Sequence, residues 1–179
     1  MTDRTEAMKR LELRARTLTY PRWARGVRVL PRYMHYEARR GRSRVRRVRV
    51  PTFWGGEFSG VMPERVTIAI ARYEFFDQNL CRSMLHLLRP GDTMVDVGAH
   101  YGFFALLGSW LVGEQGRVLA VEAIGSTFEQ LQLNATKNSP HKNIRCVHSA
   151  AGDAEGELVF KDLGLEYSSL NTAFSVRGP

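Results

Sequence analysis

Cysteine is scarce in this chain. Two among 179 residues, Cys81 and Cys146, exclude a disulfide-stapled scaffold and fit a reducing compartment. Long apolar runs are missing too: the longest, Phe103 to Val112, is well short of the ~20 residues that span a bilayer. The early residues offer no apolar signal-peptide core, and Asp3, Glu6 and Glu12 argue against a transit peptide, so the expected location is cytoplasmic. Metal ligands are sparse. Cys146 and His148 alternate on one short run and share a face, but nothing nearby is spaced to complete a site, so no metal is expected. Core packing and a surface position account for these two residues.

What the chain does have is a stretch that organises the rest, Thr93 to Phe104. Val95 and Val97 flank Asp96 in a run that suits a parallel strand buried on both faces. Gly98 and Gly102 bracket a tight turn, where the missing Cβ lets the backbone bend and a ligand approach. An apolar helix follows, and its N-terminus points free N–H groups at the same spot. The spacing is Asp-x-Gly-x-x-x-Gly, not Gly-x-Gly-x-x-Gly. A carboxylate at the strand end repels a pyrophosphate, so a nicotinamide dinucleotide is disfavoured. It suits a ligand with a cationic amino-acid end, such as S-adenosylmethionine. Gly116 to Glu122 reads as a second strand ending in an acid, 20 residues after Gly102, where ribose hydroxyls are commonly held. The alternative for Glu122 is a surface acid at a strand end.

The residues from Asp92 to Phe174 resemble the FkbM family of S-adenosylmethionine-dependent methyltransferases. The matching pieces are Val95 to Phe104, Gly116-Arg117-Val118 leading to Glu122, Phe128 to Asn134, Ala151-Gly152-Asp153, and Tyr167 to Asn171. Two departures stand out: His100 where members often have Asn, and Ala123 where they often have Pro. The resemblance implies a Rossmann-like class I methyltransferase sheet with S-adenosyl-L-methionine as cofactor, and methylation of oxygen in a small molecule or glycan. It places Asp96 on the amino-acid moiety, with Gly98, Ala99 and Gly102 in the turn and Glu122 on the ribose. Ala151 and Asp153 fall where the adenine edge is usually read, the alternative for Asp153 being a turn cap. From its place inside the glycine turn, His100 would touch the ligand carboxylate or reach the methyl-transfer site. It assigns no catalytic base. The family's acidic Asp-x-Glu-Gly-x-Glu stretch on its fourth strand is absent, so the expected sheet is truncated after about the third strand. The family's fourth strand pairs with the strand that carries Asp96. Without it that strand has a free edge, which invites aggregation, self-association or completion by a partner. A non-catalytic remnant is the competing expectation.

The front of the chain differs in charge. Residues 1–50 hold 16 Lys and Arg against 4 Asp and Glu, a balance of +12, while residues 51–179 hold 10 against 14, a balance of −4. Residues 39–49 are the densest part, read as a solvated arm or an edge strand with its arginines in water. Binding to nucleic acid or anionic membrane is the sharper alternative, and no base-reading motif accompanies it. The expected organisation is a basic extension (1–50), a β-hairpin region (51–76) and a partial methyltransferase domain (77–179). A helix over residues 1–20 would bury Met8, Leu11, Leu13 and Leu18, and Val66 to Ile70 reads as a strand of the hairpin. The family resemblance puts Tyr73 and Glu74 near the cofactor entrance; the alternative for Glu74 is a surface acid. Asp77 reads as the cap of a helix burying Leu80, Met84, Leu87 and Leu88. Ser126-x-x-Glu129 reads as a capping box for a helix from Thr127 that buries Phe128, Leu131 and Ala135 and stops at Asn138-Ser139-Pro140. Ile144 to His148 reads as a third strand and Glu157 to Lys161 as a further short one; the strand–helix–strand–helix–strand order gives a parallel α/β sheet.

Overall fold

The computed structural model describes residues 3–19, 45–165, 168 and 172–175. Pro21, Pro31, Arg39 to Arg44, Tyr167 and Ser169 to Asn171 lie outside the described residues. The chain forms two compact units, Met1–Leu87 and Leu88–Pro179.

The first unit begins with helix α1 (Arg4–Thr19). Its buried stripe is Ala7, Leu11 and Ala15, at a strict spacing of four, whereas Leu13 is 63% exposed. Strands β1 (Arg46–Pro51) and β2 (Glu57–Met62) pair antiparallel as a hairpin, with Val48 opposite Gly60. Residues 65–73 form helix α2 (Arg65–Tyr73), which corrects the strand expected over Val66 to Ile70. The cause is local. Both carboxylate oxygens of buried Glu64 accept the free N–H groups of Val66 and Thr67. Thr67, Ile70 and Ala71 then fall on one helical face, so capping and a 3–4 spacing override β-branched propensity. Helix α3 (Gln78–Leu87) is capped by Asp77, whose Oδ1 accepts Leu80 N–H at 3.1 Å. Its buried face is Cys81, Met84 and Leu85; Leu80 and Leu87, expected inside, are 42% and 74% exposed.

The second unit is a three-stranded parallel sheet in the order β3-β4-β5: β3 (Thr93–Val97), β4 (Arg117–Glu122) and β5 (Ile144–His148). Helices α4 (Phe103–Val112) and α5 (Gly125–Lys137) connect them. The α/β class and the parallel sheet are as the sequence led us to expect. Leu158 to Lys161 forms β6 and pairs antiparallel with β7 (Thr172–Ser175), which no sequence signal announced.

The sheet alternates. Val118 and Ala120 turn into a core with Ala105, Val112 and Leu131 of the two helices. Val95 and Val97 turn the other way and are 58% and 59% exposed, which corrects the expectation of a strand buried on both faces. In register behind them come Leu119 and Val121, then Arg145 and Val147. Among the described residues this face carries no helix, and the outer edge of β3 pairs with no strand.

Helix α5 starts at Gly125 with Ile124 as its cap residue and no side-chain cap. This corrects the capping box: Ser126 Oγ donates instead to Asp162 Oδ2 at 2.7 Å. The buried face of α5 is Thr127, Gln130, Leu131 and Asn134, while Phe128 is half-buried against the core.

Candidate cofactor site

The carboxyl ends of β3, β4 and β5 are tied together by backbone hydrogen bonds. Gly98 and Ala99 N–H both donate to Val121 O, at 2.9 and 3.0 Å, and Ser149 N–H donates to Glu122 O at 3.1 Å. The glycine turn is thus pinned over the end of β4.

Its two glycines serve different ends. Gly98 has φ +76°, and a Cβ there would meet nothing within 4 Å. Its side faces open space. Gly102 has φ +86°, and a Cβ there would lie 2.6 Å from Leu131 Cδ1. The clearance at Gly102 is taken by the packing of α5 on α4. Ala99 is 6% exposed and belongs to the core.

Glu122 is 7% exposed. One carboxylate oxygen accepts His100 N–H at 2.9 Å and the other accepts Ile124 N–H at 2.9 Å. The acid therefore clamps the glycine turn to the start of α5. Each oxygen keeps a second lone pair for another donor.

Asp96 lies between the strand and the first turn of α4. The Ala105 N–H bonds to its carboxylate, but Oδ2 is buried with no hydrogen-bond partner among the described residues. Burial, and secondarily the negative charge of Glu122, push its pKa up to about 6 against the pull of the Ala105 N–H.

His100 has φ +52°, a conformation in which Asn is favoured over most residues. Its ring stacks on Tyr101 with centroids 4.1 Å apart. Burial pushes its pKa down to about 4, so it is neutral at pH 7. A hydrogen-bond relay fixes its tautomer. Tyr101 Oη donates to Leu165 O at 2.6 Å, and a carbonyl can only accept. Ser168 Oγ donates to Tyr101 Oη at 3.0 Å. Ser168 has then spent its proton, so the 2.7 Å contact with His100 Nε2 has the ring donating. Nδ1 is left as the bare acceptor. Asn134 Nδ2 donates to Tyr101 O at 2.6 Å and braces the turn from α5.

The structure therefore brings Asp96, Gly98, Ala99, His100 and Glu122 together. Ala151 and Asp153 are exposed on the loop 149–156, which borders an open groove of about 620 Å³. Tyr73 and Glu74 belong to the first unit, where Glu74 is ion-paired with Arg14. Cys146 packs against the core of the second unit, and His148 stacks on Phe128 with centroids 4.8 Å apart. No group of three or more potential metal ligands occurs among the described residues. The sequence reading missed Tyr101 and Ser168 as members of the site. Ser168 lay inside a motif quoted for the family, with no chemistry attached to it.

No family model and no curated protein matches the chain. Among solved structures it is similar to one described as an rRNA methylase from Clostridium thermocellum, with 22% identity over 40% of this chain and 40% of that chain and a TM-score of 0.36. It is also similar to Aeropyrum pernix fibrillarin in complex with natively bound S-adenosyl-L-methionine, with 22% identity over 35% of this chain and 26% of that chain and a TM-score of 0.32. The chain thus covers less than half of either structure.

Proposed function

We propose that the second unit binds S-adenosyl-L-methionine at the carboxyl ends of β3 and β4 and belongs to an FkbM-type methyltransferase of the cytoplasm. The acceptor is a hydroxyl oxygen of a small molecule or glycan. The observation that carries the reading is the unpartnered, buried Oδ2 of Asp96 in a strand–turn–helix whose turn leaves open space at Gly98. A buried carboxylate oxygen without a partner is costly, and a cationic ammonium would relieve it. When bound, the cofactor supplies a methyl group on a sulfonium, which makes position and alignment the main demands on the protein.

In this reading Asp96 takes the ammonium and the turn Gly98-Ala99-His100 lies beside the amino-acid end. Gly102 sets the entry into α4. Glu122 offers its remaining lone pairs to ribose hydroxyls, and Ala151 and Asp153 take the adenine edge. No residue is assigned as catalytic base. The exposed Val95 and Val97 favour a second reading, in which the unit holds cofactor but transfers methyl only when another polypeptide covers β3.

The test is thermal unfolding of the full chain with and without S-adenosylhomocysteine. A ligand at about 100 times its Kd adds roughly 2.7 kcal/mol. An upward shift of melting temperature that Asp96→Asn abolishes is the expected result. Equal shifts in both proteins, or none in either, would remove Asp96 from the site and the proposal with it. Transfer of labelled methyl to a hydroxyl acceptor then separates the first reading from the second.

A further inference from the structure

We infer that strand β1 is a sequence-independent docking surface for the phosphate backbone of nucleic acid, contacted through Arg46, Arg47 and Arg49. The inference concerns the first unit and stands apart from the cofactor reading.

All three arginines are exposed, and none has an ion pair or hydrogen bond among the described residues. Elsewhere in the same unit, most of the described acids have partners. Glu6 pairs with Arg10, Glu12 with Arg82 and Glu74 with Arg14. Glu64, Asp3 and Asp77 accept backbone N–H groups at helix starts. The remaining described acid, Glu57, lies across from Pro51, at the opposite end of the strand from Arg46 but diagonal to Arg49 on the same face of the hairpin. Six of the unit's seven described acids are thus spent on other partners, and the three guanidinium groups, within about 10 Å of extended chain, have no ion-pair partner among the described residues.

The strand's apolar side chains decide between two kinds of polyanion. Val50 is 4% exposed and Val48 is half-buried, so apart from Val45 the strand offers nothing to insert into a bilayer. Charge alone gives weak membrane anchoring, which needs a second signal. Binding to phosphodiesters needs charge only. No exposed aromatic on the strand can stack a base, so the interaction reads no sequence. Its affinity belongs in the non-specific range, a Kd of about 10⁻⁴ to 10⁻⁶ M at physiological salt.

The probe is a fluorescein-labelled 20-nucleotide poly(U) RNA, titrated with the full chain by anisotropy between 50 and 200 mM salt. Each phosphate contact on a single strand contributes about 0.7 to the slope of log K against log salt. The triple change Arg46→Gln, Arg47→Gln, Arg49→Gln should flatten the slope by about 2, and Arg47→Gln alone by about 0.7. The triple change to Lys should keep the slope. The same proteins are sedimented with vesicles of phosphatidylcholine and phosphatidylserine at four to one. Slopes equal in the wild type and both Gln variants would overturn the inference. So would a loss confined to vesicles, which would assign the strand to a membrane surface.

Discussion

Asp96 and His100 titrate in the same pH window with opposite consequences. The Asp96 carboxyl is raised from 3.8 to about 6, so between those values the folded state holds the extra proton. Its contribution to stability is present below pH 3.8 and is lost as pH rises through 6. His100 is lowered from 6.5 to about 4, so in that interval the unfolded state holds the extra proton. Its contribution is present above pH 6.5 and is lost as pH falls toward 4. The two slopes oppose each other between about pH 4 and 6. Removing one unmasks the other. Relative to wild type, Asp96→Asn should be neutral near pH 4 and more stable on the order of 2–3 kcal/mol at pH 7. His100→Asn, which suits the left-handed backbone, should lose ground by about 3 kcal/mol between pH 4 and 7. Urea unfolding of the three proteins from pH 4 to 7.5 reads both differences directly. Parallel curves for wild type and Asp96→Asn would mean that the carboxyl is not held as the structure has it.

Among the elements, the strand–turn–helix β3–α4 separates folding from binding at its two glycines. An alanine at Gly98 meets no atom but must hold φ +76°, a cost of about 1–2 kcal/mol. An alanine at Gly102 bears the same strain at φ +86° and also displaces Leu131 Cδ1. Gly102→Ala should therefore be the more destabilising, with a coupling to Leu131→Ala of about 0.5–3 kcal/mol in a double-mutant cycle. Gly98→Ala should leave a cooperative fold and weaken S-adenosylhomocysteine binding, because its methyl enters the open side of the turn. Equal binding by Gly98→Ala and wild type in calorimetry would show that no ligand uses that space. The sequence made this element legible because its signals are local: β-branched residues around an acid, two glycines, then an apolar run. Where two local signals competed, or a side chain had a distant partner, it misled. Val66 to Ile70 has β-branched composition, yet the Glu64 cap and a 3–4 spacing make it a helix. Ser126 matched a capping box, but Glu122 had already taken the Ile124 N–H, and Ser126 turned to Asp162. Ser168 reaches His100 across 68 positions, a distance no local pattern encodes.

At the scale of the molecule, the balance of +12 in residues 1–50 against −4 in residues 51–179 divides the chain's chemistry between a basic front and a candidate cofactor unit. The second unit has one property its own charge does not relieve. Val95 and Val97 stand exposed beside an edge of β3 that pairs with no strand among the described residues, and Leu119 and Val121 extend that apolar face in register. An edge of this kind templates pairing with another strand. A second copy meets the requirement if the two β3 strands run antiparallel about a two-fold centred on Val95. Val95 then faces its own copy, Thr93 faces the copy's Val97, and the apolar faces merge across a six-stranded sheet. Sedimentation should show the wild-type weight-average mass rising with concentration. Val95→Thr with Val97→Lys should hold the protein at the mass of one chain, with a melting temperature at low concentration close to wild type, because neither side chain packs in the core. If the wild type stays at one chain's mass at all concentrations, the edge does not recruit a second copy. If the double variant associates as the wild type does, association runs through another surface, and the basic strand β1 would be the next to change.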